Sequence, residues 1–368
     1  MQQETDHRVT RVGKKISPHV VAVVALVFTL VLLELGLRVA HFIHPWREWP
    51  GYVTWGSKPS SSLLHQASSI PGLDYEMAPN REMVLGGIPI RTNQFGMRDD
   101  EAIDRNAESR CRIAVVGDSY TFGWRVGTDQ AYPKVLEKRL RESPAGSQCH
   151  FQVLNFGVVG YSSYDEDLML KYRVLNFQPH VVIIGYVLND PEVDPVQLLH
   201  AYFVSPPWWQ NSYVFRLIAQ AKARWDVRRL GGGDYYVYLH AQGHRKWQSV
   251  IDAFGDIRDV TSRRNIKVVV VIFPMLTQPF TGKPWNYYPY TQLHHQVSDL
   301  AVHDGFRVVD LLDAFREHPS QDVVFGGGDD HPTALGHEVA ARAIEKELLS
   351  ESSFYFDLLP QNPANLFL

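Results

Sequence analysis

Four short motifs along the chain carry side chains suited to acyl transfer. A Gly-Asp-Ser motif ends at Ser119, and later motifs contain Gly160, Asn189 and His331. A serine hydroxyl attacks an ester only when a neighbouring base takes its proton. Ser119 is therefore the candidate nucleophile, and His331 is the candidate general base.

A histidine that acts as a base needs an acid to orient its ring and stabilise the imidazolium. Asp329 and Asp330 both precede His331. In a loop that leads to a helix, a side chain two residues away reaches the imidazole more readily than one at the adjacent position. We therefore favour Asp329 as the acid and keep Asp330 as the alternative.

The tetrahedral intermediate of acyl transfer carries an oxyanion that needs fixed hydrogen-bond donors. The backbone N–H groups of Ser119 and Gly160 and the side-chain amide of Asn189 are the candidates. A serine that follows a strand and begins a helix also has backbone N–H groups directed toward a developing anion.

Each motif also has a plainer interpretation. Gly-Asp-Ser is often a turn with a helix cap, Asn189 and Asp190 before Pro191 suit an ordinary turn, and His331 can simply begin the last helix. The Asp-Asp-His run contains metal-ligand residue types, but three adjacent residues rarely point at one ion, and no His-Glu-x-x-His motif is present. We expect no metal and no cofactor, and the joint occurrence of the four motifs favours catalysis.

Alternating aliphatic runs and helical patterns predict an α/β fold with a parallel sheet covered on both faces. The predicted strands are 112–116, 151–156, 181–187, 268–273 and 306–311. The predicted helices lie near 131–142, 164–176, 245–263, 290–303 and 334–349. Ligands of such sheets bind at the carboxyl ends of the strands. All four motifs follow predicted strands, so they are expected at one edge.

The other segments precede, interrupt or follow this pattern. Residues 39–108 are rich in Pro, Ser, Trp and Gly and predict an irregular stalk, with a small hairpin near 82–92. The α/β domain spans 109–352, and 353–368 is a C-terminal tail. An aromatic-rich insertion covers 191–245. Aromatic faces stack on sugars, but such clusters more often fill a small core, so both roles stay open.

Composition excludes several classes of protein. The 368 residues are 45% hydrophobic and 21% charged, which is typical of a globular chain. The formal net charge of -4 argues against a nucleic-acid partner. Two cysteines exclude a disulfide framework. Cys111 and Cys149 begin the first two predicted strands, so they can form a disulfide if those strands are neighbours, and are otherwise two buried thiols.

The N-terminus predicts a membrane anchor. No charged residue occurs from Ile16 to Leu33, and eighteen residues just cross the hydrocarbon core of a bilayer. We predict a single-pass anchor over 16–38 in the cell membrane, with a cleaved signal peptide as the alternative. The preceding tail, 1–15, carries four basic residues that favour a cytosolic N-terminus and place the remaining chain outside the cytoplasm.

The four motifs resemble those of the SGNH/GDSL hydrolase superfamily, and the N-terminal anchor resembles its membrane-bound bacterial members. The resemblance implies a flavodoxin-like three-layer α/β/α sandwich of five parallel strands in the order 2-1-3-4-5, and an esterase or related acyl-transfer activity without a cofactor. It assigns Ser119, Gly160, Asn189 and His331 to the four named positions. Two departures stand out: Gly328 occupies the usual position of the acid, and Tyr120 replaces a leucine.

The sequence thus predicts a serine-dependent ester hydrolase that acts outside the cytoplasm on a small-molecule or glycan ester, through an acyl-enzyme on Ser119. An O-acyltransferase that moves acetyl groups onto extracellular glycans would use the same residues. A non-catalytic glycan-binding protein is the alternative from another class. A flavodoxin-type nucleotide site would leave Asn189 and His331 without a role. The oligomeric state stays open.

Overall fold

The structure, a computed structural model, describes residues 17–44, 63–103, 110–192, 212–277 and 280–350. The predicted tails 1–15 and 353–368 lie outside the described residues. The described residues fall into two compact units. The first contains 17–44 and 212–223, and the second contains the other described residues.

The first unit contains the long apolar helix α1 (Pro18–Ile43), which has 26 residues and a mean hydropathy of 2.8 over its most apolar window. At 1.5 Å per residue it is about 39 Å long, more than the roughly 30 Å of a hydrocarbon core. None of its residues is buried against protein. It extends further than the predicted 16–38, and its length and composition suffice to cross a membrane, a test that a signal sequence passes as well.

The second unit begins with two β-ribbons where the composition predicted an irregular stalk. The first pairs β1 (His65–Ala67) with β2 (Tyr75–Met77). The second pairs β3 (Glu82–Leu85) with β4 (Ile88–Arg91) and is the hairpin predicted near 82–92. Spaced apolar side chains anchor the segment in the core because they are fully or almost fully buried. They include Leu64, Tyr75, Met77, Ile90 and Met97.

A five-stranded parallel sheet forms the centre of this unit and confirms the predicted fold class. Its strands are β5 (Arg110–Gly117), β6 (His150–Gly157), β7 (Val181–Tyr186), β8 (Lys267–Ile272) and β9 (Arg307–Asp310). Their order is β6-β5-β7-β8-β9, with every pair parallel. All six residues of β7 are buried, as expected of a central strand covered on both faces.

Helices follow the strands in the chain. They are α2 (Ser119–Phe122), α3 (Tyr132–Glu142), α4 (Ser163–Tyr172), α5 (Tyr213–Gly231), α6 (Tyr235–Leu239), α7 (Arg245–Ser262), α8 (Thr291–His303), α9 (Leu312–Arg316), α10 (Ser320–Val323) and α11 (Ala334–Ser350). Right-handed crossovers put α3 on one face of the sheet and α4 and α7 on the other. In agreement, α3 packs against α11 and α4 packs against α7.

Two predicted segments differ from the structure in detail. Helix α4 ends at Tyr172 instead of 176, because a 3₁₀ turn (Val174–Phe177) and a left-handed Gln178 (φ 51°) redirect the chain toward β7. In the insertion 191–245, the described part contains α5 and α6. The aromatic residues Tyr202, Trp208 and Trp209 lie outside the described residues.

The two cysteines form a disulfide, with Cα atoms 5.9 Å apart. Strands β5 and β6 are neighbours, and Cys111 lies opposite Phe151, two residues beyond Cys149. The bond therefore links the start of β5 to the residue before the edge strand β6.

The disulfide closes a loop across a sequence separation of 38 residues. Loss of such a constraint on the unfolded chain costs about 4 kcal/mol by the loop-entropy estimate. A Cys111→Ser/Cys149→Ser double variant should lower the free energy of unfolding by about that amount, measured by urea titration. Maleimide should label neither cysteine of the native unreduced chain; labelling of both would contradict the bond.

Helix α11 carries a buried histidine that gives the fold a pH dependence. His337 is 0% exposed, and its Nδ1 accepts the N–H of Tyr132 at 3.3 Å. Burial lowers the pKa of His337 to about 3, whereas an unfolded histidine titrates near ~6.5. The unfolded chain thus binds the proton first as the pH falls, so this histidine weakens the fold below about pH 6.5.

We expect the free energy of unfolding of His337→Gln to depend less steeply on pH than that of the natural chain. Between about pH 6 and 4 the difference in slope should be about 1.4 kcal/mol per pH unit. Urea titrations of both proteins at several pH values give the slopes. Parallel curves would show that His337 protonates as easily in the folded chain as in the unfolded one.

Candidate active site

The candidate nucleophile lies on a sharp turn between β5 and α2. Strand β5 ends at Gly117, and Ser119 begins α2 one residue after Asp118. The carboxylate of Asp118 accepts the N–H of Tyr120 at 2.8 Å and caps the helix. The helix has only four residues and stops at Gly123, which adopts a left-handed conformation (φ 81°). The turn thus fixes the serine at the carboxyl edge of the sheet.

A row of three glycines lets this turn lie directly on the strand ends. Gly117 pairs with Gly157 on one side and with Gly185 on the other. A Cβ at Gly157 would lie 2.3 Å from the backbone nitrogen of Phe122, and one at Gly185 would lie 2.3 Å from Oγ1 of Thr121. Any side chain at these positions would displace α2, and Ser119 with it.

The structure brings the serine, the histidine and one aspartate into a continuous chain of hydrogen bonds. Nε2 of His331 lies 2.8 Å from Oγ of Ser119, and Nδ1 lies 2.7 Å from Oδ1 of Asp329. His331 and Asp329 lie on β11 (Asp329–Pro332), a short strand that pairs with β10 (Val324–Gly326). The side chains of His331 and Asp329 are 19% and 22% exposed, so a ligand can reach them.

A fourth side chain, Arg125, holds the aspartate. Its guanidinium donates to Oδ2 of Asp329 at 2.6 Å and stacks on the ring of Phe325 at 4.5 Å. Partial burial alone would raise the pKa of Asp329, but the hydrogen bonds from His331 and Arg125 outweigh it, so its pKa lies well below the ordinary value. Asp329 is therefore ionised at neutral pH.

The alternative acid, Asp330, has a different set of contacts. Its nearest carboxylate oxygen lies 3.9 Å from Nδ1 of His331, beyond hydrogen-bond distance. Burial raises the pKa of Asp330. Its backbone oxygen accepts the hydroxyl of Tyr120 at 2.7 Å. Tyr120, a departure from the family pattern in the sequence, thus ties the nucleophile turn to β11.

Asn189 lies beside the nucleophile turn, where its side-chain amide faces Asp118. Its Nδ2 is 3.4 Å from Oδ2 of Asp118, and that oxygen is also 3.4 Å from Oγ of Ser119. Both distances are long for hydrogen bonds. Burial raises the pKa of Asp118. The adjacent Asp190 holds the loop, because its carboxylate accepts the N–H of Val187 at 3.1 Å.

Gly160 occupies a turn that follows β6 and is hydrogen-bonded to the end of β5. The N–H of Val158 donates to the oxygen of Gly117 at 3.0 Å. Gly160 has φ 84°, a left-handed conformation that favours glycine. The turn is fixed from outside by Tyr75, whose hydroxyl donates to the oxygen of Val159 at 2.8 Å. The structure thus places the turn next to the strand that carries the nucleophile.

Sequence reasoning missed two arginines of this site. Arg98, 1% exposed, donates to the backbone oxygens of Phe122, Gly123 and Val126 at and just after the end of α2. Its only signal was its place in an Asn-x-x-Gly-x-Arg segment before the first strand of the sheet. Arg125 gave no signal, because its partner Asp329 is 204 residues away in the sequence.

Asp329, Asp330 and His331 also form the one cluster of metal-ligand types found in the described residues, with ligand atoms within 4.8 Å of one another. Three adjacent residues rarely all point at one ion, but here their ligand atoms lie close together. However, both ring nitrogens of His331 are engaged by Ser119 and Asp329, and Arg125 places a positive charge on the second oxygen of Asp329. These contacts fit a proton relay better than a cation site.

Residues 115–339 match the model of the GDSL-like lipase/acylhydrolase family. The chain belongs to this family. The match begins on β5 and ends in α11, so it includes Ser119, Gly160, Asn189 and His331 and leaves out both N-terminal β-ribbons. No curated protein matches the chain.

Several solved structures are similar to this chain. A putative lipolytic protein of the G-D-S-L family from Desulfitobacterium hafniense is 13% identical, with 64% of this chain and 99% of that chain covered and a TM-score of 0.40. The acetyl xylan esterase AlAXEase is 14% identical, with 65% of this chain and 100% of that chain covered and a TM-score of 0.41. A catalytic mutant of Axe2, an acetylxylan esterase from Geobacillus stearothermophilus, is 17% identical, with 70% of this chain and 99% of that chain covered and a TM-score of 0.43.

The contacts of the two aspartates predict different effects on the reactivity of Ser119. Asp329→Asn removes the acceptor that orients His331, so the rate of phosphonylation by a fluorophosphonate should fall about 10³- to 10⁴-fold. Asp330→Asn is the matched control, because it removes only a charge at 3.9 Å, and its rate should fall about fivefold or less. The reverse ranking would assign the acid to Asp330.

Proposed function

We propose that this protein is a serine-dependent ester hydrolase with Ser119 as nucleophile, His331 as general base and Asp329 as the acid of the triad. The observation that carries the proposal is the continuous chain of hydrogen bonds of 2.8 and 2.7 Å through the two nitrogens of His331. Nucleophilic catalysis by serine needs this arrangement of hydroxyl, base and orienting carboxylate.

In the first half-reaction, Oγ of Ser119 attacks the carbonyl carbon of the ester while Nε2 of His331 takes the hydroxyl proton. The resulting imidazolium is stabilised by ionised Asp329. The tetrahedral intermediate then collapses, the bond to the alcohol oxygen breaks, and His331 returns the proton to the leaving alcohol. In the second half-reaction, water attacks the acyl-enzyme, with His331 again as base, and the acid and free serine are released.

The oxyanion of both intermediates is assigned to the backbone N–H groups of Ser119 and Gly160 and to the side-chain amide of Asn189. One such donor contributes about 3–4 kcal/mol to stabilisation of the transition state. Asn189 exchanges its long contact with Asp118 for the oxyanion, so this hydrogen bond is made only as charge develops. Interactions confined to the transition state are those that accelerate the chemical step.

We also propose an extracytoplasmic location, on separate grounds. Helix α1 (Pro18–Ile43) serves as the anchor predicted over 16–38, and the basic tail 1–15 keeps the N-terminus in the cytosol. The disulfide between Cys111 and Cys149 supports an oxidising compartment for the second unit. The α/β domain 109–352, with its insertion 191–245, then acts outside the cytoplasm.

A glycan ester is the favoured substrate. Tyr236 on α6 lies near enough to Asp330 for that charge to contribute to a raised pKa of Tyr236, and the hydroxyl of the adjacent Tyr235 donates to Glu192 at 2.5 Å. Burial is the larger cause of that raised pKa. Partly buried tyrosines beside carboxylates offer both the stacking faces and the acceptors that sugars use.

The central test is the removal of one oxygen atom. Ser119→Ala should lower the release of acetate from a chromogenic acetate ester by at least about 10³-fold, because the covalent route is lost. Ser143→Ala, which changes a serine at the far end of α3, should hydrolyse the ester normally. Unchanged turnover by Ser119→Ala would refute the proposal. Acetate recovered on an added acetyl-acceptor glycan instead of as free acid would assign acyl transfer.

A further inference from the structure

The first unit contains an acidic residue inside its apolar helix, and that residue holds the start of another helix. Glu34 lies on α1, directly after the uncharged stretch from Ile16 to Leu33. Its carboxylate accepts the hydroxyl of Ser212 at 2.9 Å and the N–H of Val214 at 3.0 Å. Arg38 donates to its other oxygen at 2.7 Å. A carboxylate next to a hydrocarbon core persists only when partnered in this way.

These contacts fix the start of α5 at the end of the predicted span. The ring of Tyr213, the first residue of α5, also packs against the ring of His41, with the ring centres 5.3 Å apart. The guanidinium carbon of Arg38 lies 5.4 Å from the centre of the same tyrosine ring. If α1 crosses a bilayer over its uncharged stretch, then Glu34, Arg38 and His41 lie at the level of the lipid headgroups. The first turn of α5 therefore lies at that level as well.

The exposed face of α5 is apolar and basic. Leu217, Ile218 and Trp225 are 42%, 63% and 57% exposed. At 100° per residue these three fall within one third of the helix circumference. Exposed basic side chains flank them on the same side of the helix; they are Lys222, Arg224, Arg228 and Arg229. Arg229 also stacks on the ring of Trp225 at 4.7 Å.

The opposite face of the helix holds polar residues beside the buried Val227. Arg216, Gln220 and Asp226 are 6%, 7% and 8% exposed. A helix at a water-facing surface turns its large apolar residues inward, which α5 does with Val227 but not with the three large apolar residues of its exposed face. The outward face of α5 thus suits surroundings in which both apolar and cationic side chains are stabilised. The single acidic residue of the helix, Asp226, is turned away from that face.

We propose that α5 lies in the headgroup region of the membrane that α1 crosses, with Leu217, Ile218 and Trp225 inserted at the acyl boundary and the flanking basic side chains against lipid phosphates. Basic residues beside an apolar strip with tryptophan are typical of interfacial helices, which insert about 5–10 Å. Lipid is the occupant because the helix begins on the membrane anchor itself. The inference does not depend on the chemistry proposed for Ser119.

The test uses the full chain reconstituted in vesicles of phosphatidylcholine and phosphatidylglycerol. Both natural cysteines are disulfide-bonded, so a thiol-reactive environment-sensitive dye labels only an introduced cysteine. Ile218→Cys is the probe, and Val302→Cys on α8 is the matched control, because the two side chains are 63% and 62% exposed. Dye emission, quenching by spin-labelled lipid and quenching by aqueous iodide are measured for both.

At position 218 we expect emission at shorter wavelength, strong quenching by spin-labelled lipid and loss of iodide quenching. At position 302 we expect the reverse. Arg228→Glu/Arg229→Glu should reduce the lipid quenching at 218 in these vesicles and have little effect in phosphatidylcholine alone.

Equal iodide quenching at the two positions would overturn the proposal. Protection from iodide at 218 without quenching by lipid would also overturn it, because the face would then be covered by protein. Recovery of the chain free of vesicles would remove the anchor on which the proposal rests. A fluorophosphonate reaction of the same samples reports on Ser119 independently, so failure of the hydrolase proposal can be told apart.

Discussion

The close approach of α2 to the strand ends is the constraint on which the site depends. The backbone of Thr121 and Phe122 lies where a side chain at Gly157 would project, and the hydroxyls of Thr121 and Tyr132 lie where one at Gly185 would project. Polar contacts hold the turn down: Thr121 bonds to the hydroxyl of Tyr132 at 2.8 Å, and its backbone oxygen accepts the amide of Asn155 at 3.0 Å. The serine at the start of this turn can therefore meet a histidine from the other end of the chain at hydrogen-bond distance.

The N-terminal ribbons belong physically to this arrangement, although they lie outside the residues that match the family. Tyr75 on β2 holds the turn that contains Gly160, and Arg98 binds three backbone oxygens that follow α2. Burial lowers the pKa of Arg98 to about 10, so it remains charged at neutral pH. A buried cation at the carboxyl end of a helix is stabilised by the unpaired carbonyl groups there. The segment thus supports both the nucleophile turn and the turn that contains Gly160.

The sequence predicted the sheet well because each buried strand is visible in a short run of neighbouring residues. Aliphatic runs such as Val181–Tyr186 read as buried strands without reference to the rest of the chain. The sequence singled out Ser119, His331 and Asp329 because each has a reactive side chain in a motif that follows a predicted strand of the sheet. The hairpin near 82–92 was predicted, but the ribbon of β1 and β2 was not, since its segment is rich in residues that also suit irregular structure. Arg125 was not predicted, because its left-handed backbone (φ 67°) and its partner Asp329 are products of the tertiary fold.

The charges around His331 differ in a way that suits a developing imidazolium and oxyanion. Arg125 keeps Asp329 ionised on the side of the ring that faces away from the serine. Burial raises the pKa of Asp118, whose carboxylate lies 3.4 Å from Oγ of Ser119, so burial disfavours negative charge next to the hydroxyl. An oxyanion formed next to Ser119 would be repelled by an ionised carboxylate in a medium of low polarity. An ionised Asp329 behind the histidine, together with a raised pKa of the carboxyl group beside the serine, is therefore a charge distribution that favours acyl transfer over further accumulation of negative charge.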